Sequence, residues 1–458
     1  MPTNPFSRFN PFKSLPNPRE VWAWGMYDLA NQSFTLLIIT LLFPIYFKQV
    51  VAGPRGDALW SYAFSGSLAL VVLLSPFVGA ASDAYGIKKR FLLVSGIICS
   101  VITCALAILA KGDIAAAMTL FMLANLCYQL GENVLAGFLP EVSTPRNIGK
   151  VSAIGWTMGY VGALLLQILV VAGMLLFGLK STDRWQPFFV LAGIWFALGM
   201  IAPMTILREV RPLATSQRKL LVATTARLAS TVRNAATYKQ LARFLIAFFV
   251  YAFGVQTVIA FAGIIANDFG LKDVQLLIFT LQLTITAGIA AVVTGIFQDR
   301  IGARSTVIIY LIVWIVTALG LLALTLIPQH SREANQWAFW VVGNGVGLGL
   351  GGIGTSSRST VGRFTPRHKT AEFFGLWGMT YKSAGVIGVL SFGQVKQSLG
   401  DTASMALLTG FFVVGLILLL RVNEPAGVRA ALRVQRTFDK SIPRQTPPHP
   451  IAPMGPHE

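Results

Sequence analysis

Gly343 to Gly393 reads GNGVGLGLGGIGTSSRSTVGRFTPRHKTAEFFGLWGMTYKSAGVIGVLSFG. Two apolar runs laced with glycine flank a short basic turn, and each run carries one cation inside it, Arg358 and Lys382. A cation in a helix that spans hydrocarbon costs about 2.5–3.5 kcal/mol near the centre, so it faces protein or a water-filled cavity rather than lipid. The stretch therefore reads as a membrane hairpin with a hydrated side.

Outward from this hairpin the rest of the chain repeats its character. Of 458 residues, 54% are hydrophobic and 12% charged. Apolar runs long enough to cross a bilayer core as helices recur along the whole length. Helices satisfy their own backbone groups, which lipid demands, and the continuous runs do not alternate as barrel strands do. Spans are expected at 21–50, 60–81, 91–110, 114–139, 151–177 and 186–207, then at 241–268, 274–297, 306–327, 336–361, 372–394 and 404–420. The expected fold is an all-α integral membrane protein with twelve transmembrane helices in two pseudo-symmetric six-helix bundles.

The formal charge of +19 invites a nucleic-acid reading. Its placement argues against one, because most of the lysines and arginines fall in alternate connections, as positive-inside sorting requires. That sorting puts both termini in the cytoplasm of a multi-pass protein in the cell inner (plasma) membrane. Residues 1–20, with five prolines, read as a disordered cytoplasmic lead without the core of a signal peptide. Residues 21–207 form the first bundle and 241–420 the second. Between them, 208–240 reads as a cytoplasmic linker with an amphipathic helix, where Leu220, Leu221, Leu228 and Val232 lie among Arg218, Lys219, Arg227 and Arg233. The proline-rich tail 421–458 is expected to be disordered. Cys99, Cys104 and Cys127 sit in apolar runs and read as packing residues.

Two loops echo each other. GAASDAYGIKKR (79–90) follows the second span and GIFQDRIGAR (295–304) the eighth, so Gly-x-x-x-Asp-x-x-Gly with trailing basic residues recurs at equivalent places. Internal repetition of this kind marks carriers whose site lies between repeats near the midplane. The loop resembles the signature of the major facilitator superfamily, with Ala84 where a basic residue is usual. That resemblance implies a gating role for Asp83, Lys88, Asp299, Arg300 and Arg304, each Asp facing a positive helix N-terminus.

A narrower resemblance rests on WAWGMYDLANQSF (22–34), ENVLAGFLPEV (132–142), SAIGWTMGYVG (152–162) and SRSTVGRFTP with EFFGLWGMTYK (357–366, 372–382). These motifs resemble the vacuolar-effluxer, autophagy-related branch of the superfamily. Fungal members of that branch are associated with amino-acid efflux. The chain departs from it at Phe253, where relatives carry an acid, and at Gly354, where they carry an amide.

The residues themselves point to a wet interior. Asp28, Asn31, Gln32 and Thr35 share one face of the first span at i, i+3, i+4 and i+7. Asn125, Gln129 and Glu132 repeat the pattern in the fourth span, and Asn344, Gly351, Thr355 and Arg358 in the tenth. Asp28, Glu132, Arg358 and Lys382 would cost on the order of 10 kcal/mol if left unpaired in lipid. Their functional reading is a substrate-binding or coupling set comprising Asp28, Asn31, Gln129, Glu132, Arg358 and Lys382; the bland alternative is structural ion pairing. Gly155 and Gly159, like Gly343, Gly347 and Gly351, read as close-packing positions.

No nucleotide loop, clustered metal ligands or nucleophile beside a base occurs, so neither enzyme activity nor a cofactor is expected. The expected function is alternating-access transport of a small polar solute, an amino acid or related zwitterion, by a monomer in the lipid bilayer, with proton-coupled efflux as one form. An amphiphile, drug or lipid-like cargo is the alternative within that fold. A non-transporting membrane sensor or scaffold is the alternative outside it.

Overall fold

The computed structural model describes residues 12 and 15 and residues 17–143, 148–209, 238–272, 274–328, 336–366 and 369–441. Among these the chain is helical, with no strand. Helix α1 starts as Pro18–Ser33 and is prolonged through π-helical turns at Phe34–Leu41 and Phe47–Ala52. Then come α2 (Gly56–Tyr85), α3 (Lys88–Ala105), α4 (Ile114–Val142), α5 (Ile148–Leu176) and α6 (Gln186–Gly199, continued by Ile201–Ile206). After the central loop follow α7 (Lys239–Asp268), α8 (Val274–Ile301), α9 (Ala303–Thr325) and α10 (Gln336–Phe364). Thr370–Leu420 breaks at Gly400 (φ 82°) into α11 (370–399) and α12 (401–420), and α13 is Glu424–Ser441.

Among the described residues, nine stretches are long and apolar enough to cross a membrane. Two of them, Pro18–Gly79 and Phe373–Leu420, double back on themselves. The first reverses near Gly53, whose φ of 64° suits a residue without a Cβ. Gly400 serves the second in the same way. Helix α10 has the length but is not among the nine, its run being rich in glycine, serine and threonine.

The helices alternate between two faces. Tyr85, Ile301, Phe364 and Glu424 end or start helices at one, called here the basic face, and Ala52, Asp268 and Thr325 lie at the far face. Within the first six helices α1 packs on α5 and α6, α3 on α4 and α6, and α2 on α4. Within the last six, α7 packs on α11 and α12, α9 on α10 and α12, and α8 on α10. The two sets meet mainly where α2 lies along α11, α5 along α8 and α1 along α7. Glycine permits the closest crossings: a Cβ at Gly162 would overlap the Leu29 carbonyl, and one at Gly351 the Ala287 carbonyl.

Two boundary expectations need correction. The lead is not disordered up to residue 20, because α1 already begins at Pro18, with proline in its favoured first-turn position, and Leu15 is buried. Nor is the tail disordered throughout. Residues 424–441 form α13, which lies against α10 and α7, and Val428 and Ala431 turn inward from it. The amphipathic helix expected in the central linker, and the remainder of the tail, lie outside the described residues.

Candidate functional site

The polar stripe of α1 faces α4. Asn31 is fully buried, and its Nδ2 donates to Glu132 Oε1. One turn on, Thr35 Oγ1 and Tyr128 Oη are 2.7 Å apart. The stripe runs directly into the π-helical turn at Phe34–Leu41, a local widening common at functional sites. Gly155 and Gly159 of α5 make room behind it: a Cβ at Gly155 would come within 2.8 Å of Asp28 Oδ2, and one at Gly159 within 3.4 Å of Gln32 Nε2. The expected packing glycines therefore seat the very face that carries Asp28 and Gln32.

The cations arrive from the other six helices. Lys382 of α11 reaches across to α4, where Nζ donates to Gln129 Oε1 (2.9 Å), Asn133 Oδ1 (2.9 Å) and the Gln129 carbonyl (3.3 Å). Glu132, one turn from Gln129, acts on the same ammonium through space. Arg358 of α10 lies over the Trp377 ring, 5.9 Å from its centroid, and within electrostatic reach of Asp28. It is solvent-exposed, whereas Asp28, Glu132 and Lys382 are half-buried. The guanidinium is thus exposed while lying over an aromatic ring of the neighbouring helix.

An aromatic wall lines the cation side. Trp377 and Tyr381 stack with centroids 6.3 Å apart, and Phe248 lies 5.4 Å from Trp377 and 5.9 Å from Tyr381. Behind it Tyr251 Oη and Ser357 Oγ are 2.7 Å apart.

All six expected site residues thus converge on one region between α1, α4, α10 and α11. Asn133 belongs with them and was missed; it continues the Gln129 face at i+4, the same signal that marked its neighbours. Other members of the expected stripes serve the scaffold. Asn125 donates to Ser67 Oγ at 2.6 Å, while Asn344 and Thr355 bond carbonyls of their own helix.

The far face carries a second constellation. Lys48 at the end of α1 pairs with Asp57 of α2 (3.2 Å) and Asp268 of α7 (2.9 Å). Lys396 of α11 pairs with the same Asp268 (2.9 Å) and with Asp401. Gln49 bonds Asn267 at 2.6 Å, Trp60 Nε1 the Ala260 carbonyl at 2.9 Å, and Tyr62 Gln394 at 3.1 Å. This seal ties the first six helices to the last six. Sequence reasoning missed it, because Asp268, the residue that joins the two lysines, lies far along the chain from both.

At the basic face two of the five expected gating residues make contacts within their own six helices. Lys88 pairs with Glu141 of α4 at 3.6 Å, and the Arg304 guanidinium donates to the Leu420 carbonyl at 2.9 Å. Arg300 is exposed. Asp83 and Asp299 fall in the last turns of α2 and α8, and their side chains lie outside what is described. Two glutamates invisible to the motif take the helix-start role. Glu209, after α6, accepts from the amides of Lys89 (2.8 Å) and Arg90 (3.2 Å) at the start of α3. Glu424, after α12, accepts from those of Ala303 (3.0 Å) and Arg304 (2.9 Å) at the start of α9 and pairs with Arg363 at 3.2 Å. An anion at a helix N-terminus satisfies amides that have no partner inside the helix.

A helical membrane protein with half-buried charges gathered where two sets of helices meet has the build of a transporter of the major facilitator type, and comparison bears this out. The fold matches the nucleoside transporter NupG (D323A mutant) with a TM-score of 0.69 at 13% identity, over 88% of this chain and 98% of that one. It also matches the peptide transporter POT in complex with sulfate, at TM-score 0.64 and 16% identity, over 90% and 95%. In sequence the chain is 25% identical to the MFS-type transporter YxiO of Bacillus subtilis (strain 168), over 88% of this chain and 94% of the relative. It is 24% identical to autophagy-related protein 22 of Kluyveromyces lactis, over 81% and 80%. The profile of the vacuole effluxer Atg22-like family matches residues 55–148 and 142–432. The chain belongs to that family and is a multi-pass membrane transporter, not an enzyme.

Proposed function

We propose that the protein exports a small zwitterion, an amino acid or a close relative, by alternating access between two six-helix bundles of twelve spans in all. One observation carries this reading: Asp28, Asn31 and Glu132 on one set of helices lie beside Arg358 and Lys382 of the other where the two sets meet. A solute bearing an ammonium and a carboxylate can meet both signs at once, and charges fixed on opposite bundles let its binding be felt by both. Uncompensated charge in hydrocarbon is costly, so cargo and protein groups exchange partners rather than leave any bare.

The packing supports the two-bundle reading. Adding six to each helix number turns the contacts α1–α5, α1–α6, α2–α4, α3–α4 and α3–α6 into α7–α11, α7–α12, α8–α10, α9–α10 and α9–α12, and exchanges α2–α11 with α8–α5. Glu209 and Glu424, each capping a third helix of its set, obey the same rule. The far-face seal beside an exposed Arg358 is the arrangement of a carrier shut on one side and open on the other. Positive-inside placement makes the open side cytoplasmic, with both termini there, in a plasma membrane. Asp28 and Glu132 are the groups to carry a coupled proton.

Thermal-shift measurement on purified protein against a panel of amino acids, sugars, peptides and amphiphiles tests this. Zwitterionic amino acids raise the unfolding midpoint, and the rise disappears in Asp28→Asn and in Lys382→Ala. The wall of Phe248, Trp377 and Tyr381 favours a second reading, an amphiphilic cargo. Stabilisation by amphiphiles alone selects it.

A further inference from the structure

A cavity of about 1000 Å³ opens at the basic face, away from the central site, where the start of α7, the α8–α9 turn and the α12–α13 junction meet. Arg243, Arg300, Arg304, Arg421 and Arg429 line it, with Glu424 as the acid among them. Glu424 is already engaged by the α9 amides and Arg363, and Arg304 is committed to the carbonyls at the end of α12. Arg243, Arg300, Arg421 and Arg429 are exposed and form no ion pair among the described residues. Four guanidiniums thus share one concavity with a single lining carboxylate, Glu424, which the α9 amides and Arg363 already occupy. Positive-inside sorting explains arginines on this face but not their convergence on a single hollow.

The rim indicates what fills it. Ile301 and Leu420 line the cavity and are 42% and 54% exposed, and the exposed apolar belt continues from them through Ile296, Ile309 and Ile417. The hollow therefore sits where the lipid-facing belt gives way to basic side chains, at headgroup depth. Helix α13 leaves from the same spot with Leu432 and Phe438 exposed beside Arg433 and Arg436, the composition of a helix lying in a membrane interface. Basic pockets between helices at this level hold acidic headgroups.

We propose that this cavity is a binding site for the phosphate of an anionic phospholipid of the phosphatidylglycerol type, its acyl chains lying along the belt below Ile301 and Leu420. The orientation argued above assigns it to the cytoplasmic leaflet; the site itself does not depend on the transported solute.

Native mass spectrometry of the full chain, released from nanodiscs of mixed phosphatidylcholine and phosphatidylglycerol, tests the proposal. Wild-type protein retains phosphatidylglycerol in preference. Each basic residue at an anionic surface is worth about fivefold in affinity, so Arg300→Gln/Arg421→Gln/Arg429→Gln loses the preference, while Arg433→Gln/Arg436→Gln, on α13 beyond the cavity, keeps it. A photoreactive phosphatidylglycerol incorporated with unmodified protein needs no variant to fold, and labels peptides containing residues 300–305 and 421–429. Equal retention of the two lipids, an unchanged preference in the triple variant, or labelling elsewhere overturns the proposal. So does a site that takes inorganic phosphate while showing no preference between the lipids, which would make the ligand a soluble anion.

Discussion

Lys382 Nζ stands 2.9 Å from Gln129 Oε1, although the two residues belong to helices α11 and α4 of different six-helix sets. With Asn133 Oδ1 at the same distance, the ammonium is held by neutral amide oxygens while Glu132 lies one turn away. The lysine is thus bound by protein oxygens of the other helix set rather than by a carboxylate.

Removing it should be more damaging than its contact list suggests. Truncating a buried, hydrogen-bonded charge costs about 2–5 kcal/mol in binding, so Lys382→Ala lowers apparent solute affinity at least about thirtyfold. Lys382→Arg keeps the charge but offers a planar fork where a point charge fits, and falls between. Concentration-dependent thermal shifts on the three proteins measure this.

The far-face seal predicts a conformational shift. Asp268 is shared by Lys48 and Lys396, so Asp268→Asn weakens both ties together. Hydrogen bonds to charged groups contribute about 1.5–3 kcal/mol, enough to move the open-to-closed ratio roughly tenfold. Spin labels at the exposed Arg55 and Leu399 report a new, longer distance in the variant; an unchanged distribution refutes the seal.

Two glycines of α10, three residues apart, should answer differently. A Cβ at Gly351 meets the Ala287 backbone, whereas nothing lies within 4 Å of one at Gly354. Gly351→Ala is expected to cost about 1–3 kcal/mol through overpacking, and Gly354→Ala to stay within about 0.5 kcal/mol. Unfolding midpoints in detergent separate them.

The Glu424 carboxylate makes a local forecast. Glu424→Ala removes the cap of α9 at a cost of about 1 kcal/mol or more, and amide hydrogen exchange at Ala303 and Arg304 accelerates while that of α4 does not change. Unchanged exchange at Ala303 and Arg304 in the variant would remove the glutamate from this role.

How much of this was written in the sequence depends on how far apart the interacting residues are. Span positions and the Asp28–Asn31–Gln32–Thr35 stripe were legible because hydropathy and helical period are local. That the four embedded charges need partners followed from the cost of leaving them bare, but which acid lies near which cation did not, because no spacing links helices so far apart in the chain. The seal was not legible: Lys48 and Asp268 are ordinary boundary residues until the fold brings them together. Helix α13 was hidden by averaging. Its only proline, Pro425, sits in the first turn, where it is tolerated, and the other tail prolines come after Ser441, so a composition taken over the whole tail obscured the apolar face of Val428, Ala431 and Leu432. Glu209 and Glu424 escaped because a capping carboxylate outside the repeated motif has no signature of its own.

The most direct test is solute flux in proteoliposomes loaded with labelled amino acids, comparing the wild type with Asp28→Asn and Lys382→Ala reconstituted to equal, folded density. Saturable flux that either substitution abolishes is the expected result. Undiminished flux in both variants would contradict it, because the opening would then conduct without the charges said to define it.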